Sequence, residues 1–173
     1  HLNDPRVGAA LLAQLKAGSQ ESSEADRKLS WVIERIGPYA QGELREGVVK
    51  GLLRWLARAK YWFVYEGGRG SSSVGPRVTR TICHLIGDAE EAILWGLVRD
   101  PGEGADKDAR QRAVRALVYS RRPGLAERGE ALLTHADPAV RMAGLVLCEG
   151  LSRSDMIGPA VVVERLVRFV AQE

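Results

Sequence analysis

One nine-residue stretch constrains the fold of this chain more than any other: Asp137-Pro138-Ala139-Val140-Arg141-Met142-Ala143-Gly144-Leu145. An aspartate caps the coming helix, proline sits in the first turn where no N–H is missed, and valine begins a buried face. The chain repeats this opening. Asp4-Pro5-Arg6-Val7-Gly8-Ala9-Ala10-Leu11 echoes it, as do Gly75-Pro76-Arg77-Val78-Thr79-Arg80 and Asp106-Lys107-Asp108-Ala109-Arg110. A weaker copy starts at Glu43-Leu44-Arg45 and lacks the Asp-Pro start. Val7, Leu44, Val78, Ala109 and Val140 are separated by 37, 34, 31 and 31 residues. A recurrence of that length leaves room for two helices per unit and is the mark of an α-solenoid.

Between these starts the chain reads as amphipathic helix, with apolar residues at i, i+3/i+4 and i+7. The expected helices are 4–17, 24–37, 77–87, 88–99, 106–121, 124–135, 137–152 and 155–171, taken as successive pairs, with a less regular second unit over 42–66. In 24–36 the apolar face is Leu29, Val32, Ile33 and Ile36, and Gly37-Pro38 stops the helix. The last helix is given Asp155 as N-cap and a buried face of Met156, Ala160, Val163, Val167 and Val170, with Glu164, Arg165 and Arg168 turned to solvent. Tyr61-Trp62-Phe63-Val64-Tyr65 is rich in strand formers and reads as a helix end or ordered loop, with a short strand as the alternative. A Gly/Ser-rich loop, 67–76, follows it.

The Asp-Pro-x-Val-Arg-x-Ala pattern at 137–143 resembles the first helix of HEAT-like repeats, the armadillo/HEAT and phycobilisome-lyase-type families. The likeness is specific at 137–151, weaker at 4–15 and 106–117, and departs in the second unit. It implies an all-α fold, a right-handed α-solenoid of four to five antiparallel helix pairs in a single domain, 1–173. It also implies that the arginines following the aligned apolar position, Arg45, Arg110 and Arg141, form an internal ladder with acids of the neighbouring unit. A helical bundle without repeats is the alternative fold. The chain opens at His1 with no methionine before Met142, which reads as a piece of a longer protein.

Motifs of catalysis are missing from the sequence. It has no nucleophile elbow, P-loop, HExxH or dinucleotide fingerprint, and Gly67–Gly75 lacks the lysine that a phosphate-cradling loop uses. Cys83 and Cys148 lie inside apolar periodic segments and read as small buried hydrophobes. His84 and His135 share no metal-ligand spacing. The expectation is a non-enzyme with no cofactor, metal or small-molecule ligand. No apolar run approaches the ~18 residues that span a bilayer, so the chain reads as soluble and intracellular.

Charge distribution is the remaining signal. Residues 45–80 carry eight Lys/Arg against Glu46 and Glu66, a local +6 on a chain of net +3. Lys50, Arg54 and Arg58 fall at i, i+4 and i+8 of one helix stripe. Five of the ten aromatics crowd into 55–65 beside it. Three readings stand: a solvated stripe over core tryptophans, a protein interface rich in Trp, Tyr and Arg, or a nucleic-acid site with cations on phosphates and rings on bases. The candidate partner-binding residues are Lys50, Arg54, Trp55, Arg58, Lys60, Trp62, Tyr65, Arg69, Arg77 and Arg80. The functional expectation is a scaffold or adaptor that binds a protein along its repeat surface, with nucleic acid as the alternative partner.

Overall fold

The computed structural model describes residues 5–17, 30–35, 37–58, 64–65, 71–72, 74–105 and 108–171. Among these, the chain is all-α. The helices are α1 (Pro5–Ala17), α2 (30–35), α3 (Gly42–Arg58), α4 (Val74–Leu85), α5 (Asp88–Arg99), α6 (Ala109–Ser120), α7 (Leu125–Leu133), α8 (Pro138–Arg153) and α9 (Pro159–Val170). A 3-10 turn, Gly37–Tyr39, stands where Gly37-Pro38 was expected to stop a helix. Of the aligned positions, Val78, Ala109 and Val140 are fully buried, Leu44 is half-buried and Val7 is 39% exposed.

The strand alternative holds for part of 61–65. Val64–Tyr65 (β1) pairs antiparallel with Ser71–Ser72 (β2), in register Val64 to Ser72 and Tyr65 to Ser71. The expected loop over 67–76 is interrupted by β2 and ends early, because α4 already begins at Val74, three residues before its expected start. Pro76 then lies in the first turn of α4, where its missing N–H costs nothing.

Packing joins α5 to α6 and α7 to α8 across their connecting turns. The broadest contacts are α7 with α8, then α5 with α6 and α4 with α6; α6 also meets α8, and α7 meets α9. The expected pairs α4–α5 and α6–α7 follow in sequence but are not the closest neighbours. Glycine sets the separation at α7–α8. A Cβ on Gly129 would stand 2.9 Å from Leu147 Cδ2, and one on Gly144 would meet Leu132 Cβ and Leu133 Cδ2 at 3.0 Å and the Gly129 carbonyl at 3.2 Å.

Arginines close the helix ends. The last carbonyls of a helix have no partner inside it, and here guanidinium groups from elsewhere in the fold supply one repeatedly. Arg45 donates to the Leu85 carbonyl at the end of α4. Arg110 Nε donates to the Val98 carbonyl at 2.7 Å and its Nη2 to that of Arg99 at 3.1 Å, at the end of α5. Arg112, buried in α6, reaches the Leu56 carbonyl in the last turn of α3 at 3.3 Å. Arg141 donates to the His135 and Ala136 carbonyls after α7, each at 3.0 Å. The ladder expected of Arg45, Arg110 and Arg141 thus runs chiefly onto main chain. Its acidic partners are secondary: Glu90 lies 3.5 Å from Arg45, and Asp137, which also caps α8 by accepting from Ala139 N at 2.8 Å, lies 3.5 Å from Arg110.

Along α5, α7 and α9 the joints are ionic. Glu91 of α5 is buried and receives Arg122 from the α6–α7 turn, Arg128 from α7 and, at 3.0 Å, Trp95 Nε1. The Arg128 guanidinium lies over the Trp95 ring, 5.8 Å from its centre. Arg121 takes a left-handed conformation (φ 51°) as the C-cap of α6. That turn delivers Arg122 to Glu91, to Asp88 and, at 3.4 Å, to the Ile86 carbonyl.

The last helix keeps part of its expected orientation, with Met156 against the core and Glu164 and Arg168 exposed, but departs from it at Arg165, at Ala160 and along the valine stripe. Arg165 is buried and pairs with Glu130 of α7 at 3.1 Å, while Arg168 reaches the same carboxylate at 2.9 Å. Val163, Val167 and Val170, expected inside, are 58%, 64% and 71% exposed. Its N-cap is Gly158, and Asp155, expected in that role, lies in the preceding turn with φ 56°. A guanidinium with a long apolar stem can enter a helix interface when a carboxylate meets it there. Glu130 does so from 35 residues away.

Candidate interaction surface

Of the candidate residues in 45–80, the structure describes the side chains of Lys50, Arg54, Trp55, Arg77 and Arg80. Trp55 is a core residue, 2% exposed, and cannot take part in a surface contact. Lys50 and Arg54 are exposed on α3, as the stripe reading requires. Arg58 is the last residue of α3, and Tyr65 belongs to β1. Lys60, Trp62 and Arg69 lie outside the described residues. Arg77 and Arg80 are tied to α2: Glu34 sits 3.6 Å from Arg77 Nε and 3.8 Å from Arg80 Nη2. Their charge is partly spent inside the fold.

The cysteines are poor nucleophiles. Cys83 lies at the α4–α6 seam, its Sγ 2.9 Å from the Thr79 carbonyl and 3.4 Å from that of Ala116. Burial pushes its thiol up to about 12 from 9.0, outweighing the backbone hydrogen bond that lowers it. Cys148 is also raised, first by burial and then by the Glu130 charge, against the lowering effect of Arg165, whose Nη1 lies 3.6 Å from its Sγ. At pH 8 a thiol titrating near 12 holds roughly 10³-fold less thiolate than one at 9.0, and the greater nucleophilicity of the more basic thiolate recovers only part of this. In the folded protein Cys83 should therefore react with iodoacetamide about 50-fold more slowly than in urea. Mass spectrometry of the alkylated peptides over a time course measures both rates, and equal rates would contradict the burial of this thiol.

His84 is exposed, and His135 accepts a hydrogen bond at Nδ1 from Asp137 N at 3.0 Å, ordering the approach to α8. Among the described residues, no group of three or more His, Cys, Asp or Glu is placed to hold a metal ion. Among them, too, no helix is long and apolar enough to cross a membrane.

A groove does form where α4, α6 and α8 lie side by side. Its volume is about 460 Å³, within the size range of ligand-binding clefts. Val114 and Val118 of α6 and Val146 of α8 give it an apolar floor, and Thr79 of α4 closes one side. The floor is tight at the α6–α8 crossing: a Cβ on Gly150 would lie 2.7 Å from Val118 Cγ2. Tyr119, 52% exposed, and Arg115 stand on the rim from α6. Arg153 and Glu149 stand opposite on α8, paired with each other at 2.7 Å. Arg115 is exposed and is engaged by no described hydrogen-bond or ion-pair partner, so the groove presents an open cation beside an aromatic ring.

Residue-by-residue reading for motifs passes over these positions, because they carry none. The repeat register is the signal that finds them. Counted from Ala109 and Val140, Arg115 and Val146 occupy the same place, as do Val118 with Glu149 and Tyr119 with Gly150. Equivalent positions on successive parallel helices line one face, and that face is the groove. Comparison with protein-family models, with curated proteins and with solved structures finds no match to this chain.

Proposed function

We propose that this chain is a non-catalytic scaffold of HEAT-like character, a short α-solenoid that holds a protein partner in the groove across α4, α6 and α8. The observation that carries this reading is the pairing of exposed Tyr119 with unengaged Arg115 over an apolar floor. Tyrosine and arginine are the residues on which binding energy concentrates at protein interfaces. The floor of valines favours an apolar side chain, and Arg115 favours a carboxylate near it. A partner segment presenting both, extended or helical, fits the groove. Successive first helices stacked side by side supply such a surface without chemistry of their own.

The second reading, nucleic acid on the α3 side, rests on exposed Lys50 and Arg54. It is the weaker one, because Trp55 is withdrawn into the core and Glu34 engages Arg77 and Arg80.

Capture from source lysate separates the two. Tyr119→Ala with Arg115→Ala should weaken retention of a discrete protein about 30-fold, the effect of a lost hot spot near 2 kcal/mol, while the circular-dichroism melt stays at the wild-type temperature. Lys50→Glu with Arg54→Glu should leave that retention unchanged. If the second pair abolishes binding and the first does not, the groove is the wrong surface. Retention of nucleic acid that disappears on raising salt would support the second reading, since each phosphate contact releases counterions.

A further inference from the structure

The groove across α4, α6 and α8 restricts the form of a partner as well as its chemistry. Counting 31 residues along the repeat sets Arg115 of α6 level with Val146 of α8, and Arg153 stands seven residues further along α8. The close approach of Gly150 to Val118 fixes this register, since a Cβ on Gly150 would lie 2.7 Å from Val118 Cγ2. Seven helical residues rise about 10 Å. The two guanidinium groups therefore mark positions two turns apart on opposite rims, with Val114, Val118 and Val146 between them.

Across the rim two cations stand against one anion. Arg153 pairs with Glu149 at 2.7 Å, but the two side chains are 79% and 57% exposed. Water screens such a pair and holds it weakly, so Arg153 can turn to a carboxylate brought by a partner. Arg115 is already open. Glu149, midway along the α8 rim, disfavours any further carboxylate there.

Main chain gives an extended segment nothing to pair with in this groove. At the crossing, the Val118 carbonyl accepts from Arg121 N at 3.2 Å and the Gly150 carbonyl from Ser154 N at 3.1 Å. An extended chain laid over the valines would set its own peptide groups against apolar side chains. A helix satisfies its peptide groups internally and seats a ridge of side chains between two others. On one face of a helix, residues i and i+7 are about 10 Å apart, and i+3 and i+4 lie between them. On the protein-partner reading of this groove, we propose that its occupant is an amphipathic helix with carboxylates at i and i+7 meeting Arg115 and Arg153, and apolar residues at i+3 and i+4 on the valine floor.

Fluorescence anisotropy of short synthetic helices against the 173-residue chain tests this. The probe is an alanine-based, hydrocarbon-bridged peptide with Glu at i and i+7 and Leu at i+3 and i+4. Moving the second Glu to i+5, off the bound face, should weaken binding about 5-fold, the upper end for one exposed ion pair. Arg115→Ala and Arg153→Ala should each cost the same, with circular-dichroism melts at the wild-type temperature. One Glu→Gln probe should lose nothing further against Arg115→Ala, and the other nothing further against Arg153→Ala. An acidic probe that does not bind overturns the proposal. So does a probe with Gln at both places that binds as tightly, or a proline-broken probe that does. Single-stranded DNA that displaces the probe from wild type and not from Arg115→Ala would give the cations to phosphates and also overturn it. The groove as a protein site is lost only when capture of a discrete protein is indifferent to Tyr119→Ala with Arg115→Ala.

Discussion

Replacing Glu91 with alanine should lower the unfolding free energy by about 3 kcal/mol and the melting temperature by roughly 10 °C. Glu91 is 4% exposed; its carboxylate accepts from Arg128 and from Trp95 Nε1 and forms an ion pair with Arg122. Removing it leaves the indole N–H without its acceptor, takes the carboxylate away from Arg128 and leaves Arg122 with Asp88. Breaking a buried ion pair from one side costs more than the pair contributes, since the remaining charge is still desolvated. The figure sits at the low end of the usual range because the Arg128 side chain is 52% exposed and water screens part of its charge. Glu91→Gln keeps an acceptor for Trp95 and should cost about half as much. Urea unfolding of the three proteins measures the differences. A Glu91→Ala midpoint equal to the wild-type one would show that α5 and α7 do not depend on this cluster.

The second large effect is expected at Gly144. Gly144→Leu should destabilise by about 3 kcal/mol through overpacking. A Cβ there already meets Leu132 and Leu133 at 3.0 Å and the Gly129 carbonyl at 3.2 Å, and three further carbons would have to enter a seam closed from two sides. The carbonyl belongs to the α7 backbone, so relief requires α7 and α8 to move apart, uncovering Leu132 and Leu147. Gly144→Ala isolates the steric part: alanine gains up to about 1 kcal/mol in helix propensity, which the crowding should cancel. Gly129→Ala is milder still, because its nearest obstacle is the end of the Leu147 side chain at 2.9 Å, which can rotate. Thermal melts ranking wild type, Gly144→Ala and Gly144→Leu test the geometry, and a Gly144→Leu protein as stable as wild type would place the helices further apart than described here.

The expected helix boundaries agree closely with the structure because caps and stops are local chemistry. Asp137-Pro138 and Gly124 stand where α8 and α7 were expected to begin, whereas α9 begins at Pro159 behind Gly158 and not behind Asp155. Of the five aligned positions, Val78, Ala109 and Val140 are fully buried, while Leu44 is half-buried and Val7 is exposed. What periodicity could not supply is the sign of an amphipathic helix at the end of an array. In α9 the valine stripe and the arginine edge are equally regular, and only Glu130, on another helix, decides which one turns inward. The same limit applies to Trp55, whose position beside Arg54 says nothing about the α3 contacts that enclose it. The groove was hidden because its residues come from three helices and share no motif.

The arginine joints have a consequence for how such a chain tolerates change over evolutionary time. Arg45, Arg110, Arg112 and Arg141 bond to peptide carbonyls, which every amino acid provides. Side chains at Leu85, Val98, Leu56 and His135 can therefore drift without dissolving the joint, whereas the donor arginine has no substitute of equal reach. Lysine has a single nitrogen and cannot bridge two carbonyls with a rigid fork, as Arg110 does at the end of α5. A lineage of such chains would keep a few fixed arginines while the sequence around them becomes unrecognisable.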